Sequence, residues 1–161
     1  MGKTTREIVG EKVDAIIEEL NKTLADEWLA YMQYTLAASL VTAPQVEKEL
    51  KEIAAEELEH AEELTARIVQ LGGKPLVDPK QFYEKTNCGY EVPTEDNIKV
   101  LKDAISAEGC AIEAYDKVSK LTKDSDPVTY QLMLHILEEE EEHEEKFETL
   151  LEYLSRCQKT G

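Results

Sequence analysis

The stretch EEEEEHEE at residues 138–145 decides how this sequence is interpreted, because Glu140 and His143 within it form a Glu-x-x-His pair. Taken alone, such a run of glutamates is usually the solvated face of a helix. A second pair with the same spacing, Glu57 and His60, lies earlier in the chain. The predicted fold follows from where the sequence places these two pairs among its apolar residues.

The composition favours one domain and argues against several classes of partner. The chain has 161 residues, 42% of them hydrophobic, and we expect residues 1–161 to form a single domain. Its 35 acidic and 18 basic residues give a net charge of -17, which attracts cations and disfavours a nucleic-acid partner. No apolar stretch suits a membrane span or a secretory signal, so we expect a cytoplasmic protein. None of the cysteines forms a Cys-x-x-Cys pair, which argues against a zinc ribbon or a rubredoxin-type iron site.

Apolar residues at spacings of three and four predict two long helices in the first half of the chain. Helix A covers about residues 7–41. Helix B opens at Pro44, where the missing amide hydrogen costs nothing, and it runs to Leu71 before a Gly-Gly stop. Because the turn between these helices is short, we expect them to be antiparallel neighbours.

The second half of the chain predicts a similar hairpin after a long connection. Residues 72–94 contain three prolines and three glycines and form a crossover, with one helical turn after the second proline. Thr94 is the expected cap of helix C, which fades near Lys123. Asp126 and Pro127 then open helix D, which continues almost to the end. The predicted fold class is all-α, a four-helix bundle with one long B–C crossover.

Ionisable residues interrupt the apolar face of every predicted helix. On helix C, Glu108 stands between Ile105 and Ile112 in a series that should be apolar. Helix A carries one glutamate in the same way, and helices B and D each carry a whole Glu-x-x-His pair. Six ionisable side chains are therefore predicted to point into one core: Glu27, Glu57, His60, Glu108, Glu140 and His143.

These six side chains are also predicted to lie at one height of the bundle. In the first hairpin the lone glutamate precedes Thr42 by 15 residues, and the Glu-x-x-His pair follows Pro44 by 13 and 16. In the second hairpin the separations from Lys123 and Pro127 are again 15, 13 and 16. The two halves repeat each other, as expected if a pseudo-twofold axis relates them.

Four buried carboxylates need a cation. Leaving them unpaired would cost several kcal/mol each, and the sequence places no Lys or Arg at their level. Four glutamates with two histidines are a ligand set suited to two iron or manganese ions. The alternative is a polar network that is satisfied without metal.

At these residues the chain resembles the ferritin superfamily, with the ligand set of bacterioferritin and rubrerythrin. The resemblance covers helices A to D, and Tyr34 and Tyr115 match tyrosines that orient carboxylates in those families, although both could be ordinary core aromatics. Leu58 replaces the methionine that binds haem in bacterioferritin, so no haem is expected. Ala111 replaces a further glutamate of rubrerythrin, and no rubredoxin tail follows. The residues after His143 suffice to finish helix D without the fifth helix of large ferritins.

One subclass of the superfamily combines these features. Thioferritin-type Dps-like proteins place a bacterioferritin-type site inside each bundle of a dodecamer and have two cysteines near the metals. The matching residues are Cys88 and Cys110, which the resemblance implies are a disulfide beside the site. The alternative is two reduced, buried thiols. Cys157, at a seam position near the end of helix D, is interpreted as structural.

The resemblance implies a ferroxidase that oxidises Fe(II) with hydrogen peroxide or dioxygen and stores the product inside a homo-oligomeric cage, which protects against oxidative stress. Glu57 and Glu140 would bridge two iron ions, with the other four residues as terminal ligands. One alternative is a rubrerythrin-like peroxidase without mineral storage, and another is a metal-free binding bundle. The native metal, the oxidant and the role of the outward-facing glutamates in residues 138–145 stay open.

Overall fold

The structure, a computed structural model, describes residues 2–159, and these form helices and connecting loops with no strand. The helices in chain order are α1 (Lys3–Val9), α2 (Val13–Ala38), α3 (Pro44–Gln70), α4 (Pro79–Lys85), α5 (Asn97–Thr122) and α6 (Pro127–Lys159), with a 3-10 turn at Gly10–Lys12. The four long helices α2, α3, α5 and α6 correspond to predicted helices A to D. The all-α bundle with one long crossover is therefore confirmed.

Two hairpins make up the bundle. Helix α2 packs most extensively on α3, and α5 on α6, while α2 with α5 and α3 with α6 join the hairpins. Arg67 adds a buried polar tie between α3 and α6, with its Nη2 2.8 Å from Asp126 Oδ1. The same carboxylate oxygen accepts from the backbone amide of Thr129 at 3.0 Å, which confirms Asp126 as the cap of the last helix.

The apolar core divides into two main clusters, one on each side of a polar layer. One cluster includes Leu20, Leu64, Ile68, Met133 and Ile136. The other includes Leu50, Ile53, Leu101 and Phe147. The six ionisable residues lie in sequence between these clusters on all four long helices, so apolar packing above and below sets their height.

Helix A does not begin at residue 7 as one continuous helix. The backbone of Gly10 has a φ of 72°, which interrupts the helix and inserts the 3-10 turn before α2. Arg6 nevertheless ties the short first helix to the bundle, because its Nη1 donates to the carbonyl oxygen of Leu71 at 3.0 Å. The long helix also ends at Ala38, three residues before the predicted end.

Two further predictions are wrong in detail. The cap of α5 is Asp96 and not Thr94, because the Asp96 carboxylate accepts from the amides of Ile98 at 2.9 Å and Lys99 at 3.2 Å. Cys157 is exposed and does not occupy a seam position.

The crossover packs against α2 and carries the predicted helical turn as α4. Asp78 caps this helix by accepting from the amide of Lys80 at 3.0 Å. Phe82 stacks on Trp28 of α2 with ring centroids 6.1 Å apart and joins a small cluster with Ala25 and Leu29. The long loop is thereby held along one side of the bundle. Within the described part of the chain, no helix is long and apolar enough to cross a membrane.

Candidate metal centre

The structure brings all six predicted site residues together in the middle of the bundle. Helix α2 supplies Glu27 and α5 supplies Glu108, while α3 and α6 each supply a Glu-x-x-His pair. Every one of these side chains belongs to a residue that is 2% exposed or less. Because residues three apart on a helix share a face, each pair presents its glutamate and its histidine to the same interior space.

These residues form two groups with two members in common. One group is Glu27, Glu57, His60 and Glu140, and the other is Glu57, Glu108, Glu140 and His143. In each group one ligand atom from every residue lies within 4.8 Å of the others. The two imidazole rings face each other with centroids 5.9 Å apart. This arrangement could hold two cations side by side, with the two shared carboxylates between them.

The two shared carboxylates turn one oxygen toward each histidine. Glu57 places Oε2 3.2 Å from Nδ1 of His60 and Oε1 3.5 Å from Nδ1 of His143. Glu140 places Oε1 3.1 Å from Nδ1 of His60 and Oε2 3.8 Å from Nδ1 of His143. A carboxylate with its two oxygens divided in this way has the geometry to bridge two cations.

Both predicted tyrosines contact carboxylates of the site, and each contact crosses between the halves of the bundle. The Tyr34 hydroxyl of α2 donates to Glu108, and the Tyr115 hydroxyl of α5 donates to Glu27. Burial and the nearby carboxylates raise the pKa of each phenol well above its usual value. Both hydroxyls therefore stay protonated and orient one oxygen of the carboxylate that they contact.

Several buried ligand atoms lack a hydrogen-bond partner among the residues that the structure describes. They are Oε1 of Glu57, Oε1 of Glu140 and Nδ1 of His143. Unpartnered buried polar atoms are costly, and these three converge on one space. Carboxylate oxygens with imidazole nitrogens suit iron, manganese or zinc, so the donor set fits a pair of such ions.

The ferritin-like domain family matches residues 17–157, which include all six residues of the centre. The chain belongs to the ferritin-like family. The resemblance to the ferritin superfamily, which rests on two lone glutamates and two Glu-x-x-His pairs, is confirmed.

Named relatives within this family share most of the chain. A protein of Pyrococcus furiosus called DNA protection during starvation protein is 40% identical over 152 residues, covering 90% of this chain and 81% of that protein. A bacterioferritin of Desulfovibrio desulfuricans is 32% identical and covers 84% of this chain and 73% of its own length. The solved structure of a dodecameric thioferritin from Bacteroides fragilis is 36% identical, with a TM-score of 0.94 and 98% coverage of both chains.

The predicted disulfide between Cys88 and Cys110 is present and joins the crossover to α5. Asp26, next to Glu27 on α2, holds the same part of the crossover. Its carboxylate accepts from the backbone amides of Asn87 at 2.8 Å and Cys88 at 3.0 Å, and from the Asn87 side chain at 2.7 Å. The crossover is therefore fixed at the height of the centre by one covalent bond and a set of hydrogen bonds.

A small cavity lies between this part of the crossover and the centre. Its volume is about 20 Å³, enough for about one water molecule. Cys88 and Gly89 line its outer side, and the four site glutamates line its inner side. The centre is thus buried but adjoins a space that a small polar molecule could occupy.

Two carboxylates outside the predicted site contact its histidines. Glu139 lies against His60, and Glu56 lies against His143. Neither glutamate was predicted as a site residue, and the role of Glu139 was left open with that of the other outward-facing glutamates of residues 138–145. The only available signal was their position directly before the glutamate of each pair.

In the metal-free protein, bound protons neutralise part of the negative charge of the buried carboxylates. Burial, followed by repulsion from Glu57 and Glu140, raises the pKa of Glu27 and of Glu108 well above the usual value. Burial opposes protonation of His143, but the nearby carboxylates of Glu140 and Glu57 outweigh it and raise the pKa to about 10. Glu27, Glu108 and His143 therefore hold protons at neutral pH.

This network predicts how the stability of the metal-free protein depends on pH. A histidine with a raised pKa stabilises the fold fully below its unfolded value of 6.5, and that contribution is lost as the pH rises to about 10. The raised pKa values of the two terminal glutamates act in the same direction. We expect the melting temperature of the chelator-treated protein, measured by calorimetry, to fall between pH 6.5 and pH 10.

A divalent metal should reverse this trend, because it replaces the protons and binds more tightly as its ligands lose them. The control is Glu113→Gln, since this glutamate is exposed and lies outside the six residues. The control variant should keep the wild-type profile. A metal-free melting temperature that stays level or rises over this pH range would contradict the description of the network.

Proposed function

We propose that this protein is a ferroxidase that oxidises Fe(II) at a two-metal carboxylate centre and stores the product inside a closed homo-oligomer. The observation that supports the proposal most strongly is the pair of shared carboxylates. Glu57 and Glu140 each direct separate oxygens toward the two histidines, which is the arrangement that two bridged cations need. Glu27 with His60 and Glu108 with His143 would complete the two sites.

The chemistry requires two metal ions close together. One hydrogen peroxide and two protons take one electron from each of two Fe(II) ions and give two Fe(III) ions and two waters. Because both electrons are available at once, the O–O bond is broken without release of a hydroxyl radical. The same site suits dioxygen as oxidant, and peroxide is the oxidant that we propose.

The residues of the chain contribute binding, orientation and exclusion of water. Tyr34 and Tyr115 hold the terminal carboxylates through their second oxygens, so those side chains cannot rotate away from the site. The apolar clusters above and below exclude bulk water from the centre. The adjoining cavity of about 20 Å³ leaves space for about one water molecule beside the carboxylates.

Storage in a dodecameric cage is proposed from the relatives and from the charge. The thioferritin of Bacteroides fragilis is dodecameric and matches this chain over 98% of its length. A net charge of -17 favours the approach of Fe(II). The same charge disfavours direct contact with DNA, although the Pyrococcus furiosus relative is called a DNA protection protein.

Replacing one terminal ligand tests the centre. We expect Glu108→Gln to lower the initial rate of peroxide-dependent Fe(II) oxidation by at least about 10-fold. The substitution removes the charge of one carboxylate from one of the two groups of site residues. The rate is measured by stopped-flow absorbance of Fe(III). The matched control is Glu113→Gln on the exposed side of the same helix, which should react at the wild-type rate. Equal rates for both variants would contradict the proposed centre.

Iron loading separates storage from a peroxidase that holds iron without accumulating it. Fe(II) and peroxide are added in steps, and iron is counted after size-exclusion chromatography with light scattering. We expect far more iron per chain than the pair held by the two groups, eluting with an assembly of twelve chains. Iron that levels off at the content of the centre, or a protein that elutes as a monomer, would contradict storage.

A further inference from the structure

Each buried histidine is hydrogen-bonded to a carboxylate that lies outside the six-residue centre. His60 Nε2 is 2.7 Å from Oε2 of Glu139, and His143 Nε2 is 2.5 Å from Oε2 of Glu56. We propose that Glu56 and Glu139 are positioning residues, which hold the two imidazoles with Nδ1 turned toward the metals. This inference rests on the proposed function of the centre.

The hydrogen bonds determine which ring nitrogen is available. A carboxylate oxygen accepts a hydrogen bond, so Nε2 of each histidine carries the hydrogen. Nδ1 is then the nitrogen that a metal can bind, in His60 by replacing the hydrogen bond of 3.2 Å between Nδ1 and Glu57. In His143 this atom has no hydrogen-bond partner among residues 2–159, and in both histidines it faces Glu57 and Glu140. The hydrogen bond therefore holds Nε2 of each histidine, and Nδ1 points toward the metal positions.

The two contacts cross between helices in a reciprocal way. Glu139 stands on α6 directly before Glu140, yet it holds the histidine of α3. Glu56 stands on α3 directly before Glu57, yet it holds the histidine of α6. Each helix thus contributes a shared carboxylate to the centre and orients the imidazole of the other helix. Two adjacent glutamates on one helix point in different directions and have separate tasks.

Both positioning carboxylates are only partly exposed, and their outer neighbours differ. The Glu139 side chain is 37% exposed and lies 3.7 Å from Nε2 of His135. The Glu56 side chain is 40% exposed and lies 4.0 Å from Nζ of Lys146. Because a lysine and a histidine contact a carboxylate differently, the two positions should be tested one at a time.

The test uses Co(II) as the probe, because its visible absorption reports on the ligands around it. Glu139→Gln and Glu56→Gln preserve side-chain size but remove the charge. A glutamine can also donate its amide hydrogen to Nε2, which leaves Nδ1 protonated and unable to bind. We expect each single variant to lose about 10- to 100-fold in affinity for one of the two Co(II) ions and to keep the other. The double variant should lose affinity for both.

The matched controls are Glu142→Gln on α6 and Glu59→Gln on α3, both exposed and with the same change of charge. They should bind Co(II) with wild-type affinity and spectrum. A second variant, Glu139→Asp, keeps the charge but shortens the reach, and we expect its affinity to lie between those of Glu139→Gln and the wild type.

The outcomes separate the positioning role from the centre itself. Single variants that bind two Co(II) ions with wild-type affinity would overturn the positioning role while leaving the proposed function intact. Loss of both ions in a single variant, together with a lower melting temperature, would also overturn it, because the residue would then be structural. A wild-type protein that binds no Co(II) at the six residues would show instead that the proposed function is wrong.

Discussion

The burial of four carboxylates within one polar layer is the constraint on which the rest of the structure depends. Glu27, Glu57, Glu108 and Glu140 are each 2% exposed or less, and transferring such groups from water without compensation costs several kcal/mol apiece. No lysine or arginine ion pair is formed by these four carboxylates among the described residues. Tyrosine hydroxyls, histidines and shared protons compensate them in part. The proposed pair of cations would complete this compensation.

The bundle satisfies that constraint by symmetry. Each hairpin provides a lone glutamate and a Glu-x-x-His pair at the same height, and the tyrosine of each half holds the lone glutamate of the other. Apolar clusters on both sides of the layer fix the register of the helices, and this register brings the six site side chains together. The disulfide and Asp26 fasten the crossover at the same level. Packing, one disulfide and hydrogen bonds therefore hold the elements that carry the site.

Much of this was predictable because helix periodicity and turn residues determine height and direction. The 13- and 16-residue separations from Pro44 and Pro127 placed the two pairs correctly, since a helix rises by a fixed amount per residue. Periodicity describes only the direction of Cβ, however. The side chain of Glu139 starts outside the apolar face of α6 and turns back to contact His60. The sequence pattern does not specify that rotamer. The cap of α5 was not predicted, because Thr94 and Asp96 are both good caps. The break before α2 was not predicted either, because the sequence does not reveal the φ of Gly10.

In the proposed centre, Glu57 and Glu140 bridge two metal ions, and each ion is completed by its own histidine and terminal glutamate. The most direct measurement is anomalous diffraction at the iron edge from crystals soaked anaerobically in Fe(II). We expect two peaks per chain, one at bonding distance from Glu27 and His60 and the other at bonding distance from Glu108 and His143, with both in contact with the shared carboxylates. Empty density among the six side chains, or iron found only on the outer glutamates of residues 138–145, would contradict it.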